Sequence, residues 1–194
     1  EVFSKIVHGA WRNGEPGMIF LDEVNRNSPV IHLGRITATN PCGEQPLLPN
    51  ESCNLGSLDV AKFLDADEAG LVDLNWDRLG ESVRLATRML DNVIDANKYA
   101  VDAIEEMTQS TPKLGLGVMG FADMLVQLGI PYDTEEAVEL GRKLMAFIRD
   151  NADAESMALA EERGPFPAWH DSAAAERGDK PYRNACRLTV APTG

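Results

Sequence analysis

The sequence predicts an α/β fold, and three observations support that class. Apolar residues at helical spacing alternate along the chain with short apolar runs that are typical of strands. The 194 residues are 44% hydrophobic and 25% charged, which is the balance of a globular protein with a buried core. The predicted long helices are amphipathic, so we expect a sheet or a barrel wall to cover their apolar faces.

The first part of the chain predicts one helix and two extended runs. Residues 2–11 carry apolar side chains at helical spacing, and the glycines and proline within 14–17 end that pattern. Residues 18–21 form a short apolar run, which predicts a buried strand. A second extended run at 34–39 leads directly into a loop.

This loop starts with residues 40–44, where a proline and a glycine prevent regular structure, and it continues through 45–52. In an extended loop alternate side chains point the same way, so Asn40, Cys42 and Glu44 are expected to converge on one small molecule. The thiol would react, the carboxylate would move a proton and the amide would orient the ligand. The alternative is a proline-glycine turn with a buried cysteine.

The rest of the chain predicts two long helices and two shorter elements. Apolar residues recur every three to four positions between 75 and 99, namely Leu79, Val83, Ala86, Leu90, Val93 and Ile94. A second long helix is expected to start at Asp133, with Glu136 completing a capping box. Residues 119–128 predict a shorter helix, and residues 186–190 predict a final strand.

Charge and cysteine content exclude several classes of protein. The net charge of −13 repels a nucleic-acid backbone, and the basic residues are scattered, so we reject nucleic-acid binding. Three irregularly spaced cysteines do not make a disulfide scaffold, and an odd count suits a reducing, cytoplasmic compartment. No apolar run approaches the roughly 18 residues of a membrane span. His8, His32 and His170 lack paired ligand spacing, so no metal site is expected.

Longer motifs connect the loop to a known family. The segment TNPCGEQPLLP at 39–49, followed by SCNLGS at 52–57, resembles the active-site finger loop of ribonucleotide reductases. The residues of this segment are most similar to those of the adenosylcobalamin-dependent class (class II). Further matches occur in family order at 16–22, 114–123, 129–132 and 191–194. Together the motifs cover nearly the whole chain, whereas each short piece alone would be weak.

The resemblance implies a fold and a domain assignment. It implies part of a ten-stranded α/β barrel, with a central finger loop that carries Cys42 into the middle. The chain begins at Glu1 and stops directly behind the last predicted strand. We therefore expect residues 1–194 to be a partial catalytic barrel domain, truncated at both ends.

The resemblance also implies a role for each residue of the loop. Cys42 would carry the thiyl radical that removes the 3′ hydrogen of a ribonucleoside di- or triphosphate, which becomes the 2′-deoxyribonucleotide. Glu44 would take the 3′ hydroxyl proton, and Asn40 would hydrogen-bond the ribose. Cys53 would be one half of the dithiol that reduces the sugar, reset by an external reductant such as thioredoxin. The family places the partner thiol upstream, and Cys186 is interpreted as a core or surface cysteine.

Two further expectations concern ligands. Pro192, Thr193 and Gly194 match the start of the segment with which the family holds the substrate's phosphates, in agreement with anion binding by amides at a turn before a helix. Adenosylcobalamin is expected as the cofactor on resemblance alone.

Three alternatives stay open or are rejected at this stage. Residues 115–120 fit the dinucleotide-binding pattern G-x-G-x-x-G, but 110–113 make a poor first strand and no acidic residue follows a second strand at the required spacing. We expect these glycines instead to allow close packing of helices against the barrel wall. The chain could be a structural piece that is active only when joined to flanking segments. It could also belong to a reductase driven by a separate metal-bearing subunit.

Overall fold

The computed structural model describes residues 1–193. Its helices are Val2–Asn13 (α1), Leu21–Arg26 (α2), Trp76–Ala96 (α3), Asp102–Ser110 (α4), Phe121–Leu128 (α5), Glu135–Arg163 (α6) and Ala173–Glu176 (α7). Its strands are Ala38–Thr39 (β1), Pro46–Leu47 (β2), Cys53–Asp59 (β3), Leu64–Ala66 (β4), Val72–Leu74 (β5), Lys113–Met119 (β6) and Cys186–Leu188 (β7). The mixture of the two confirms the α/β prediction.

The centre of the molecule is a parallel sheet with the strand order β3-β6-β7. Strands β3 and β6 pair in unbroken register from Cys53 opposite Lys113 to Asp59 opposite Met119. Strand β7 pairs with the other edge of β6, with Cys186 opposite Lys113. Parallel neighbours need long crossover connections, and α3 and α4 supply the one between β3 and β6 while α5 and α6 supply the next.

One side of this sheet, which we call the helix face, is covered by α3 and α6. Leu114 and Leu116 of β6 are 0% and 1% exposed there. They pack in the same cluster as Leu79 and Val83 of α3 and Ile148 of α6, all fully buried. Each fully buried side chain of this size stabilises the fold by about 1.5–3 kcal/mol. This cluster is the main core.

A second, smaller cluster fixes the hairpin formed by β1 and β2. Ile36 lies just before β1 and Leu48 just after β2, and both are buried. They belong to one cluster with Val30, Phe166 and Trp169. The rings of Phe166 and Trp169 meet edge to face, with centroids 5.6 Å apart. The hairpin is therefore anchored at both of its ends.

The long helices agree with the sequence predictions, with one correction at a helix start. Helices α1, α3 and α5 and the strand β7 lie where the spacing predicts them. Helix α6 begins at Glu135, and its cap is Thr134, whose hydroxyl accepts a hydrogen bond from the Ala137 amide at 3.3 Å. The predicted cap at Asp133 is wrong by one residue, because the Thr134 hydroxyl reaches the free amides of the first turn.

One predicted strand is wrong, and one observed strand was not predicted. Residues 18–20 are not a buried strand: Met18 and Ile19 are 50% exposed and Phe20 is 68% exposed, and Leu21 already begins α2. An apolar run without a pairing partner cannot form a strand. Residues 113–119, for which no strand was predicted, form the central strand β6, while 110–112 lie outside any strand as expected.

The glycines of that segment allow neighbouring extended segments, not helices as expected, to lie close to the β6 backbone. A Cβ on Gly115 would lie 2.3 Å from Leu55 Cδ2, and one on Gly117 would lie 2.5 Å from the Thr189 carbonyl oxygen. Both distances are far below van der Waals contact, so the neighbouring chain segments approach the β6 backbone closely only because these positions are glycine.

Among the helices within residues 1–193, none has the length and apolar character required to cross a bilayer.

Candidate active site

The side of the sheet opposite the helix face carries Cys53, Lys113 and Cys186, and we call it the site face. Alternation along a strand places Cys53, Leu55 and Ser57 of β3 on this side, together with Lys113, Gly115 and Gly117 of β6. Cys53 Sγ and Thr189 Cγ2 both lie near the position that a Cβ of Gly115 would take. The thiol therefore leans over the backbone of the central strand.

The hairpin β1–β2 holds three of the predicted residues in its turn. Its register pairs Ala38 with Leu47, so the turn spans the residues between Thr39 and Pro46. The Asn40 amide donates to the Gln45 carbonyl at 3.1 Å, and the Gln45 amide donates to Asn40 Oδ1 at 3.0 Å. The Gly43 amide donates to the Asn40 carbonyl at 3.1 Å. These bonds fix the turn and leave the Asn40 Nδ2 donors for a ligand.

Cys42 lies at the exposed tip of this turn, between Pro41 and Gly43. Gly43 has a φ of 87°, a conformation that strongly favours glycine. The alternative of a buried cysteine in this turn is therefore wrong. The thiol is reachable from outside the chain.

Glu44 follows the tip and is half-buried. Its Oε2 is buried and accepts no hydrogen bond from residues 1–193. Its backbone carbonyl accepts a hydrogen bond from the Thr189 hydroxyl at 2.8 Å, which ties the turn to the end of β7. An unpartnered buried carboxylate oxygen is costly, and such groups in folded proteins call for an explanation such as a ligand.

Cys53 occupies the first position of β3. Burial is the main cause that raises the pKa of its thiol to about 12; the nearby Cys186 contributes to the rise, and the Lys113 ammonium offsets part of it. The thiol is consequently protonated at neutral pH. It is suited to giving a hydrogen atom and ill suited to acting as a thiolate nucleophile.

Cys186 is also on this side of the sheet, at the start of β7. Cys53 and Cys186 both pair with Lys113, one on each side of β6. Two strand spacings of about 4.8 Å put their Cα atoms about 9–10 Å apart. A disulfide needs less than about 7 Å, and both cysteines are free. Cys186 thus cannot serve as the dithiol partner of Cys53 without backbone movement.

The predicted phosphate segment ends near the carboxyl end of β3. Thr193 Oγ1 lies 2.9 Å from Ser57 Oγ, and the Thr193 amide donates to the Ala191 carbonyl at 2.7 Å. Pro192 lies between them, while Gly194 falls outside the described residues. Ser57 and Thr189 did not emerge from the sequence, because their place on the site face depends on recognising β3 and β7 with their register.

Comparisons with known proteins identify the family of this chain. The family model described as "Ribonucleotide reductase, barrel domain" matches residues 1–194. The vitamin B12-dependent ribonucleoside-diphosphate reductase of Thermoplasma acidophilum is 53% identical over 194 residues, which are 100% of this chain and 25% of that protein. The enzyme of the same name from Mycobacterium tuberculosis is 54% identical over 100% of this chain and 27% of its own length.

More distant relatives have a different name. The ribonucleoside-diphosphate reductase subunit alpha of Chlamydia trachomatis is 35% identical over 89% of this chain and 16% of its own length. The solved Actinobacillus ureae class Id ribonucleotide reductase alpha subunit shares the fold, with a TM-score of 0.78 at 23% identity over 99% of this chain and 36% of that one. The chain spans about a quarter of the length of the first two relatives. The motif resemblance is confirmed, and the chain belongs to the ribonucleotide reductase barrel-domain family.

Proposed function

We propose that residues 1–194 are the radical-bearing part of an adenosylcobalamin-dependent ribonucleotide reductase, which makes 2′-deoxyribonucleotides for DNA synthesis. The observation that carries the proposal is the hairpin turn. It holds Asn40, Cys42 and Glu44 together and is tied through Thr189 to the sheet face that carries Cys53. The names of the relatives that are 53% and 54% identical support a ribonucleoside diphosphate as the substrate.

The proposed reaction begins and ends at Cys42. Its thiyl radical would take the 3′ hydrogen atom, while the free Glu44 carboxylate oxygen would take the proton of the 3′ hydroxyl. The 2′ hydroxyl would take a proton from the dithiol of Cys53 and a second thiol and leave as water, with the ribose held by the side-chain amide of Asn40. The dithiol would also supply two electrons and the hydrogen that C2′ gains, and it would become a disulfide, while Glu44 would return its proton to the 3′ oxygen. Cys42 would then return its hydrogen atom to C3′, which restores the thiyl radical.

The state of Cys53 agrees with this role. A thiol with a pKa of about 12 keeps its proton and its S–H bond at neutral pH. The second thiol is proposed to come from a flanking segment, since the geometry disfavours Cys186. A thioredoxin-like reductant would reduce the disulfide by exchange, which suits the cytoplasmic location that we propose.

The cofactor assignment depends on the access to Cys42. Adenosylcobalamin, when bound, supplies the radical that oxidises the Cys42 thiol. The exposed position of that thiol at the tip of the turn fits a cofactor that approaches from outside this segment. The higher identity to vitamin B12-dependent relatives than to the Chlamydia trachomatis alpha subunit supports this class over one with a separate metal-bearing subunit.

The substrate's phosphates are assigned to the 191–194 segment. The Thr193 hydroxyl lies beside that of Ser57, so two hydroxyl groups are available to an anion at the carboxyl end of β3. Backbone amides of such a turn are suited to the same purpose. Because the relatives are about four times as long, we propose that activity requires flanking segments of the same subunit.

The decisive experiment replaces Cys42 by serine in a full-length reductase that carries these 194 residues. With substrate, adenosylcobalamin and excess dithiothreitol, Cys42→Ser should form no deoxynucleotide, because no other group can take the 3′ hydrogen. Cys186→Ser is the matched control and should keep its activity. Deoxynucleotide formation by Cys42→Ser would overturn the proposal. Turnover that needs a second protein subunit but no cobalamin would reassign the class.

A further inference from the structure

An ion pair lies buried beneath the hairpin. Lys113 Nζ is 2.6 Å from Glu51 Oε2, and the two side chains are 3% and 0% exposed. Among the ion pairs of residues 1–193, it is the one in which both partners are buried. Within residues 1–193 the side chains of Lys113 and Glu51 make no hydrogen bond to the side chains of Cys42, Glu44 or Cys53, so the proposed mechanism leaves their charge unexplained.

Both partners form hydrogen bonds with the backbone of the second strand of the hairpin, at β2 and directly after it. Glu51 Oε2 accepts a hydrogen bond from the Leu48 amide at 2.6 Å, and Lys113 Nζ donates to the Pro46 carbonyl at 3.3 Å. Glu51 Oε1 accepts from the Thr111 hydroxyl at 2.7 Å. The pair therefore links β2 to the first residue of the central strand.

The same lysine lies directly opposite Cys53 in the pairing of β3 with β6. Lys113 is the register partner of Cys53, so a constraint between Lys113 and β2 is also a constraint between the hairpin and Cys53. The two charges act on that thiol in opposite directions: Lys113 lowers its pKa and Glu51 raises it, both less than burial does. The ion pair is thus within electrostatic reach of Cys53.

Stability alone does not explain charged residues at this place. Removing two charges from water is expensive, and well-packed apolar residues of similar volume are often at least as stable as a buried ion pair. What apolar side chains cannot replace are the directional hydrogen bonds to Pro46 and Leu48.

We propose that Lys113 and Glu51 are positioning residues, whose ion pair holds the hairpin that carries Cys42 at a fixed place relative to Cys53. The inference rests on the proposed reductase function and adds two residues to it. Reacting groups must be held closely, and a misplacement of about 1 Å can cost about 100-fold in rate.

The kinetic test uses three variants of a full-length reductase that carries these residues. Lys113→Met should lower kcat about 100-fold with KM for the nucleotide unchanged. Lys113→Arg keeps a cation beside Glu51 and should recover part of the loss. The double variant Lys113→Met/Glu51→Leu removes both charges and should fold like the parent, but its kcat should stay low. A double variant with the parent's kcat would overturn the inference.

A labelling test separates positioning from general loosening and needs no turnover. The rate of iodoacetamide modification at Cys53 is measured by peptide mass spectrometry at pH 8. Lys113→Met should slow it and Glu51→Gln should speed it, because a lower pKa gives more thiolate. The free energy of unfolding of each variant, measured with urea, reports general loosening of the fold. Faster labelling of Cys53 in both variants would mean a merely structural pair and overturn the inference. Failure of the proposed function would appear separately, as activity in Cys42→Ser.

Discussion

The two faces of the central sheet are made by the same three strands and have opposite characters. The helix face presents the fully buried Leu114 and Leu116 to α3 and α6. The site face presents a thiol, a lysine and two glycines, covered in part by a short hairpin. Successive residues of one strand thus lie alternately in the main core and in the candidate site. This separation can be tested with variants on each face.

The largest effect is expected at Cys53 on the site face. Cys53→Ser should lose multiple turnovers, by more than about 100-fold, because the sugar can no longer be reduced by a dithiol. Hydrogen abstraction should survive, and release of tritium from 3′-tritiated substrate measures it separately from deoxynucleotide formation. Cys186→Ser, on the other edge of β6, is the control. Sustained turnover by Cys53→Ser would contradict its place in the dithiol.

A core truncation on the helix face should cost stability. Leu116 is 1% exposed, and Leu116→Ala should lower the free energy of unfolding by about 2–5 kcal/mol. Leu55 pairs on the site face with Gly115 and is 48% exposed, so Leu55→Ala should cost about 1 kcal/mol or less. Urea unfolding followed by circular dichroism compares the two. Equal costs would contradict the contrast between the faces.

A smaller effect is expected where the site face has no side chain. Gly117→Ala would place a Cβ 2.5 Å from the Thr189 carbonyl oxygen and should cost about 1–3 kcal/mol. A Cβ on Gly17 would meet no atom within 4 Å, so Gly17 is the matched control. Gly17→Ala should be neutral or stabilise by about 0.4–1 kcal/mol. Identical urea midpoints for the two variants would mean that the Thr189 carbonyl does not lie this close to Gly117.

The sequence predicted the helices better than the sheet. Helix α3 shows its buried face as a period of three to four, which depends on residues close in the chain. In β6 the same information is present as alternation: leucine and valine face the helices, while glycine stands at the intervening positions. The number of glycines in this segment suggests a loop. Only their alternation with apolar residues indicates a strand. This is why the sequence pattern of 113–119 does not reveal a strand.

The candidate site divides in the same way. Asn40, Cys42 and Glu44 are neighbours in one turn, so a local motif is enough to group them. Glu51 and Lys113 are separated by 62 positions, and their contact requires the register of β3 on β6. No local pattern encodes that register. Long-range pairs such as this one are therefore the part that sequence reasoning misses.

Thr189 shows how far such a dependence extends along the chain. Its hydroxyl donates to the carbonyl of Glu44, which is 145 positions earlier, and four residues later the chain reaches Thr193. The turn that holds Glu44 and the segment proposed to bind phosphate are accordingly connected through Thr189. When residues 40–45 are exchanged between related enzymes, residue 189 should be exchanged with them. Otherwise the hydrogen bond between the residue 189 side chain and the Glu44 carbonyl is lost.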